Sequence, residues 1–173
     1  MNILLITSAT KNSNTDIMNK EFIRQSFESG HDVEVLHANT IHHCDGCRAC
    51  GKIGHCKYKD RLSYIENTPK VIVLSGAVYF FGLNSTLSTA LHRLTPVNKI
   101  FGLILCSGSS GRMSGVDIIK EQFNRVDEYG DNFTVPIFNK VTHDRRLPLY
   151  KKDIKGISKL LKNLEEVESK WQG

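Results

Sequence analysis

The chain lacks long apolar runs. Stretches such as Ile3–Ile6 and Val71–Leu74 are strand-sized and far shorter than a bilayer requires, so no membrane partner is expected. It lacks the Gly-x-Gly-x-x-Gly fingerprint and the P-loop pattern, which removes the commonest dinucleotide and nucleoside triphosphate motifs. No Ser-His-Asp set and no carboxylate pair argues for hydrolysis. No acidic cluster follows the first apolar run and no phosphorylatable aspartate follows the third, which sets aside a receiver-type signalling domain. No signal peptide opens the chain: Asn2 leads straight into a strand-like run without a small-residue cleavage site. A cytoplasmic location is therefore expected.

Charge is weakly one-sided. There are 23 Lys+Arg against 18 Asp+Glu, a formal net charge of +5 over 173 residues. Such a balance favours anionic ligands in general and does not point to nucleic acid. The basic residues are scattered except for Lys151, Lys152, Lys155, Lys159 and Lys162, whose helical spacing reads as a solvated helix face.

What is present is an alternation of strand and helix patterns. Strands are expected over Asn2–Thr7, Asp32–His37, Lys70–Ser75, Ile100–Cys106 and Phe133–Phe138. Helices are expected from Thr15 to a stop at Gly30, over a short span Arg61–Asn67, over Asn84–Leu94, from about Val116 to Val126, and along the stripe Ile154, Ile157, Leu160, Leu161, Leu164 and Val167. The third and fourth strands are apolar throughout, as strands buried on both faces are. Pro136 cannot donate to a ladder, so the fifth strand should lie at a sheet edge. The fold class that follows is α/β: a three-layer sandwich around a five-stranded parallel sheet in the order 2-1-3-4-5. One domain over residues 1–173 is expected, with a cysteine-rich loop inserted near residues 43–58.

In such a fold the loops after strands one, three and four face one crevice. The first loop carries Ser8, Thr10, Lys11, Ser13, Asn14 and Thr15 at a helix start. Hydroxyls and unpaired backbone N–H groups there suit a monophosphate; a plain capped helix start is the bland alternative. The second loop carries Ala77, Val78, Tyr79, Phe80 and Phe81 directly after a buried strand. A stacked planar ring would explain the aromatics; a hydrophobic plug or a subunit contact would do so as well. The third loop, Ser107–Gly115, includes Gly108 and Gly111, which let a ligand approach the backbone. A phosphate cradle between an aromatic and a glycine-rich wall suggests a flavin mononucleotide (FMN) site.

Cysteine is the unusual residue. Four of the five fall within thirteen positions, as Cys44, Cys47, Cys50 and Cys56. Cys106 ends an apolar run and reads as a small buried hydrophobe. Three cysteines at i, i+3 and i+6 with a fourth nearby match cubane iron–sulfur ligation. Zinc stays open, because His42, His43 and His55 lie close by, and so do metal-free thiols.

The first loop resembles the S-P-R-x-x-[GS]-N-T phosphate loop of flavodoxin-like NAD(P)H-dependent FMN reductases, keeping Ser8, Ser13, Asn14 and Thr15. Ser75, Val78, Tyr79 and Phe80 resemble that family's S-P-V-Y-[FW] segment. The cysteines fit the C-x2-C-x2-C-x5-C motif of its iron-sulfur flavoprotein branch. The chain departs from the pattern at Gly76-Ala77 (proline in the family), at Thr10 (arginine, with Lys11 adjacent), at Lys59-Asp60 (an Asp pair) and at Ala90-Leu91-His92-Arg93 (F-I-D-R). The resemblance implies FMN, NADH or NADPH as electron donor, and a small-molecule acceptor or an electron-carrier protein as partner. It further implies a [4Fe–4S] cluster on the four cysteines, or its absence in a plain FMN or quinone reductase, and a dimer or tetramer. A non-catalytic binding module with structural zinc is the alternative of a different class. Arg112 and His143-Asp144-Arg145-Arg146 are weaker candidates for meeting a nicotinamide dinucleotide phosphate.

Overall fold

The computed structural model describes residues 1–65, 69–94, 99–109, 114–126, 135–141 and 149–171. The strands are β1 (Asn2–Thr7), β2 (Asp32–His37), β3 (Val71–Tyr79), β4 (Gly82–Leu83), β5 (Ile100–Ser107) and β6 (Ile137–Val141). The helices are α1 (Asn14–Glu28), α2 (Ala49–Ile53), α3 (Arg61–Ile65), α4 (Ser85–Arg93), α5 (Val116–Val126) and α6 (Lys151–Trp171), with a 3-10 turn at Ala38–Thr40.

The parallel strands run in the order β2-β1-β3-β5-β6, and β4 pairs antiparallel with the end of β3. Without the β4 extension this is the expected five-strand order. Ile3 aligns with Val33 and Val71, and Val71 with Ile100. β3 and β5 are buried almost end to end because helices cover both faces.

Two apolar clusters fill the layers. One gathers Met18 and Phe22 of α1 and Ile157, Leu160, Leu161 and Leu164 of α6 against Ile3, Leu5, Val73 and Ile104. The other gathers Leu87 and Ala90 of α4 and Ile119 and Phe123 of α5 against Leu4, Ile6, Leu74 and Leu103. Fully buried side chains such as Phe22 and Leu87 each contribute about 1.5–3 kcal/mol of transfer free energy.

Several expected boundaries move. β3 continues past Ser75 to Tyr79, because its end finds an antiparallel partner in β4. Phe133 and Thr134 of the expected last strand lie outside the described residues; the described strand is Ile137–Val141, preceded by Pro136, whose carbonyl accepts from Leu103 N at 2.9 Å. That strand does lie at the sheet edge. Phe27 of α1, four residues after Ile23, is 79% exposed. Cys106 is half-buried and not fully enclosed. Among the described residues, no helix is long and apolar enough to cross a membrane.

Candidate functional site

The carboxyl ends of β1 and β3 are tied together, through Asn19 of α1, by buried polar groups. Ser75 Oγ donates to Asn19 Oδ1 at 2.5 Å, and Asn19 Nδ2 donates to Thr7 Oγ1 at 2.8 Å. Ala9 N donates to that same Thr7 oxygen, and Ser8 N donates to the Ser75 carbonyl at 3.0 Å. Buried polar groups hold position only when their bonds are made, and here each link is closed.

Gly76 is where the backbones meet. A Cβ there would lie 2.4 Å from both Ser8 Oγ and Leu87 Cδ1, and 2.9 Å from Asn84 Nδ2. Asn84 in turn caps α4 through Leu87 N and donates its amide to Ser8 Oγ. The first loop is thereby locked to the end of β3.

The first loop itself is a capped helix start. Ser13 Oγ accepts from Asp16 N, and Asn12, at φ +63°, gives its N–H to Asp16 Oδ2 at 2.8 Å. Thr10 and Lys11 are exposed, Ser8 and Ser13 half-buried, and Asn14 and Thr15 buried. Burial opposes ionisation of Asp16, yet Lys20 and the Asn12 amide hold its carboxyl below the usual range. A carboxylate therefore already occupies the Asn12 N–H of this loop, and spacing alone gave no warning of it.

The second and third loops enclose a cleft of about 310 Å³, near the lower end of the ~300–1,000 Å³ typical of small-molecule sites. Val78, Tyr79, Phe80 and Phe81 form one wall; Ser107, Gly108, Ser109 and Ser114 form the other. Tyr79 to Gly82 is a two-residue hairpin with φ +46° at Phe80 and +63° at Phe81. That is the backbone of a type I′ turn, which normally takes Asn or Gly at both central positions. Bulky residues there store strain, and such strain gathers at functional sites. Phe80 is wholly exposed, Tyr79 59% and Phe81 45%. Gly115, at φ +74°, passes so close beneath the hairpin that a Cβ would lie 2.3 Å from Phe81 Cα.

Thus the structure gathers Val78, Tyr79, Phe80, Ser107 and Gly108 around one cleft, with half-buried Ala77 just below it on β3. Ser8, Thr10, Lys11, Ser13, Asn14 and Thr15 are joined to that cleft through Ser8 and do not line it. Gly111, Arg112 and His143–Arg146 lie outside the described residues. The sequence reading gave no role to Asn19 or Asn84, and took in Phe81, Ser109 and Ser114 only as parts of the second and third loops. A polar residue beside Met18 on the buried face of a helix was the available signal for Asn19.

The cysteine segment packs along α4. Cys44, Cys47 and Cys50 are exposed and Cys56 is half-buried; all four thiols are free. Asp45 ties the segment together, accepting from Cys47 N, Lys57 Nζ and Tyr58 Oη, and its carboxyl is held low by Lys57, Tyr58 and Cys47. His42 stacks on Tyr58 at 3.5 Å between ring centroids. Both stems of the segment are gripped by Arg93, which bonds the carbonyls of His42 and Tyr58 and the carboxylate of Asp60. Four thiols at this spacing suit a soft metal by donor chemistry. Their arrangement does not: among the described residues, no three His, Cys, Asp or Glu side chains are grouped to hold a metal ion. The cleft does fit a flat ring, with an aromatic wall on one side and small residues on the other.

No protein-family model matches the chain. An iron-sulfur flavoprotein of Archaeoglobus fulgidus is 24% identical over 97 residues, which is 53% of this chain and 44% of that protein. The match therefore spans less than half of that relative's length. Among solved structures, RosB with a bound 8-demethyl-8-formylriboflavin-5'-phosphate intermediate superposes at a TM-score of 0.69, with 15% identity over 99% of this chain and 80% of that one. An FMN-dependent NADH-azoreductase of Bacillus anthracis, in complex with FMN, gives 0.62 at 12% identity over 100% of both chains. A flavodoxin from the domain Archaea gives 0.59 at 14% identity, over 97% of this chain and 99% of that one. Identities this low speak to architecture, and by architecture this chain is a flavodoxin-like α/β protein.

Proposed function

We propose that the chain is an FMN-dependent oxidoreductase that binds FMN at the carboxyl edge of its sheet. One observation carries this: the aromatic hairpin and the Ser107–Ser109 loop enclose a cleft beside a hydroxyl-rich helix start. Proteins of the same fold that are named for FMN or flavin phosphate add support. Ser8, Thr10, Lys11, Ser13, Asn14 and Thr15 hold the phosphate. Ala77, Val78, Tyr79 and Phe80 face one side of the ring system, and Ser107 and Gly108 the other. Bound there, FMN would supply a redox centre able to take a hydride from NADH or NADPH and to release electrons singly or in pairs. The chain's own part is to bind and orient: the buried Thr7–Asn19–Ser75 links keep the loops in register, and the hairpin shields the ring from water. No side-chain nucleophile or general base is required. A small electron acceptor or an electron-carrier protein takes the electrons. The unit is one domain over residues 1–173, with residues 43–58 as an inserted loop, and it assembles as a dimer or tetramer.

The test is FMN titration of the apoprotein by flavin fluorescence, followed by NADH and NADPH oxidation with a quinone acceptor. Stoichiometric uptake that falls about fivefold or more in affinity for Tyr79→Ala supports the site, since losing one stacked aromatic costs about 1 kcal/mol. Absence of uptake overturns it.

A second reading adds a [4Fe–4S] cluster on Cys44, Cys47, Cys50 and Cys56. It is favoured by the cysteine spacing and by the name of the Archaeoglobus fulgidus relative. The separated thiols of this structure would have to close around the cluster. Iron and acid-labile sulfide in anaerobically purified protein, lost in Cys47→Ser while flavin stays, would support it. Zinc without flavin would instead make the chain a binding module.

A further inference from the structure

We propose that the lysine face of α6 docks a small protein bearing a carboxylate-rich surface; that this protein is an electron carrier rests on the function proposed above. Lys151, Lys152, Lys155, Lys159 and Lys162 are all exposed. At 3.6 residues per turn they fall within an arc of about 100° and along about 16 Å of helix. The opposite side of α6 is spent on the core through Ile157, Leu160, Leu161 and Leu164.

The same chain shows what an ordinary solvated face looks like. On α1, Lys20 pairs with Asp16, and Arg24 with both Glu21 and Glu28. On α6, Lys151, Lys155 and Lys159 have no ion pair among the described residues, and Lys162 reaches Glu166 only at 3.8 Å. Lys151–Lys155 and Lys155–Lys159 are i,i+4 like-charge pairs, which cost helix stability. No ion pair among the described residues offsets that repulsion; an approaching anionic surface does.

The stripe also starts in the right place. Lys140 of β6 bonds Asp153 at 3.1 Å, and both Lys140 and Lys152 sit over the Tyr150 ring. Asn139, next to Lys140, accepts from Ser107 Oγ in the cleft wall. Asn139 and Lys140 face opposite sides of the sheet, so these bonds put the amino end of the stripe at the same end of the sheet as the cleft.

Other anionic partners fit less well. The apolar face of α6 is buried, so the helix cannot lie in a lipid interface. The stripe is all lysine, without the arginine forks that dominate phosphate and base-edge contacts in nucleic acid. Lysines steer an acidic protein by long-range charge, which gives salt-sensitive and readily reversible association.

The experiment titrates the full chain with an acidic [2Fe–2S] carrier protein of the plant type at low salt and near physiological salt. Anionic-lipid vesicles and a DNA duplex are run alongside. The comparison protein is the combined variant Lys151→Gln, Lys155→Gln and Lys159→Gln, which keeps good helix formers in place. Binding to the carrier that weakens with salt, and about tenfold in the variant, is the expected result. Unchanged affinity in the variant, no binding, or tighter lysine-dependent binding to vesicles or duplex overturns the proposal. FMN uptake is measured on the same samples. Docking without flavin uptake overturns the proposed function alone, and flavin uptake without docking overturns this inference alone.

Discussion

Arg93 and Asp60, 33 positions apart, form a buried ion pair that fastens the cysteine segment to α4. The Arg93 side chain is 1% exposed and that of Asp60 16%. Burial works against both charges, and their mutual bond outweighs it. The Asp60 carboxyl is held at about 2 by Arg93 and by the His42 and Ser63 amides despite its desolvation. A carboxyl lowered from its unfolded value stabilises the fold above about pH 4, and that contribution fades as pH falls towards 2. Its size is on the order of 2 kcal/mol. Denaturant unfolding of the chain and of Asp60→Asn should differ most near neutral pH and converge at about pH 2. A constant difference would contradict the assignment. Arg93→Met leaves Asp60 buried without its partner and should cost about 3 kcal/mol or more.

Gly76 leaves no room for a side chain between β1, β3 and α4. Gly76→Ala puts a methyl within 2.4 Å of Ser8 Oγ and Leu87 Cδ1. Overpacking of this kind costs about 1–3 kcal/mol. The midpoint of thermal unfolding should drop, and the first loop should lose its Ser8–Asn84 bond. A variant as stable as the parent would mean that the close approach relaxes freely.

Phe80 stands wholly exposed with φ at +46°. Asn adopts that backbone more easily, and the left-handed region costs other residues about 1–2 kcal/mol. Phe80→Asn should therefore raise stability by about 1 kcal/mol while lowering FMN affinity. Opposite signs in the two measurements separate a strained binding residue from an ordinary loop residue.

Asp16 places a carboxylate on the Asn12 N–H, inside the proposed phosphate loop. Asp16→Asn removes that like charge and should tighten FMN several-fold. The same change takes an acid from the first turn of α1, at a cost of about 0.3–1 kcal/mol to the helix. Flavin titration and thermal unfolding should then move in opposite directions.

Short apolar runs were enough to place the first, third and fourth parallel strands, because burial on both faces is written locally at Ile3–Ile6, Val71–Leu74 and Ile100–Leu105. Their order followed from the usual winding of such sheets, and the last strand lies further along the chain than its pattern suggested. The aromatics after β3 and the small residues after β5 could be assigned to one crevice because topology brings those loops together. What local pattern does not encode is pairing at a distance. β4 is two residues long and exists only through β3, so the aromatic stretch read as a loop when it is a hairpin. Asn19 looked like one more helix residue until Ser75, 56 positions away, took its carbonyl. The four cysteines are legible as a motif at once, yet their separation in space depends on Asp45, Asp60 and Arg93. Residue type and spacing thus determined the layers and the chemistry on offer. Tertiary structure alone decided which groups meet, because a hydrogen bond or an ion pair forms only where the whole fold delivers both partners.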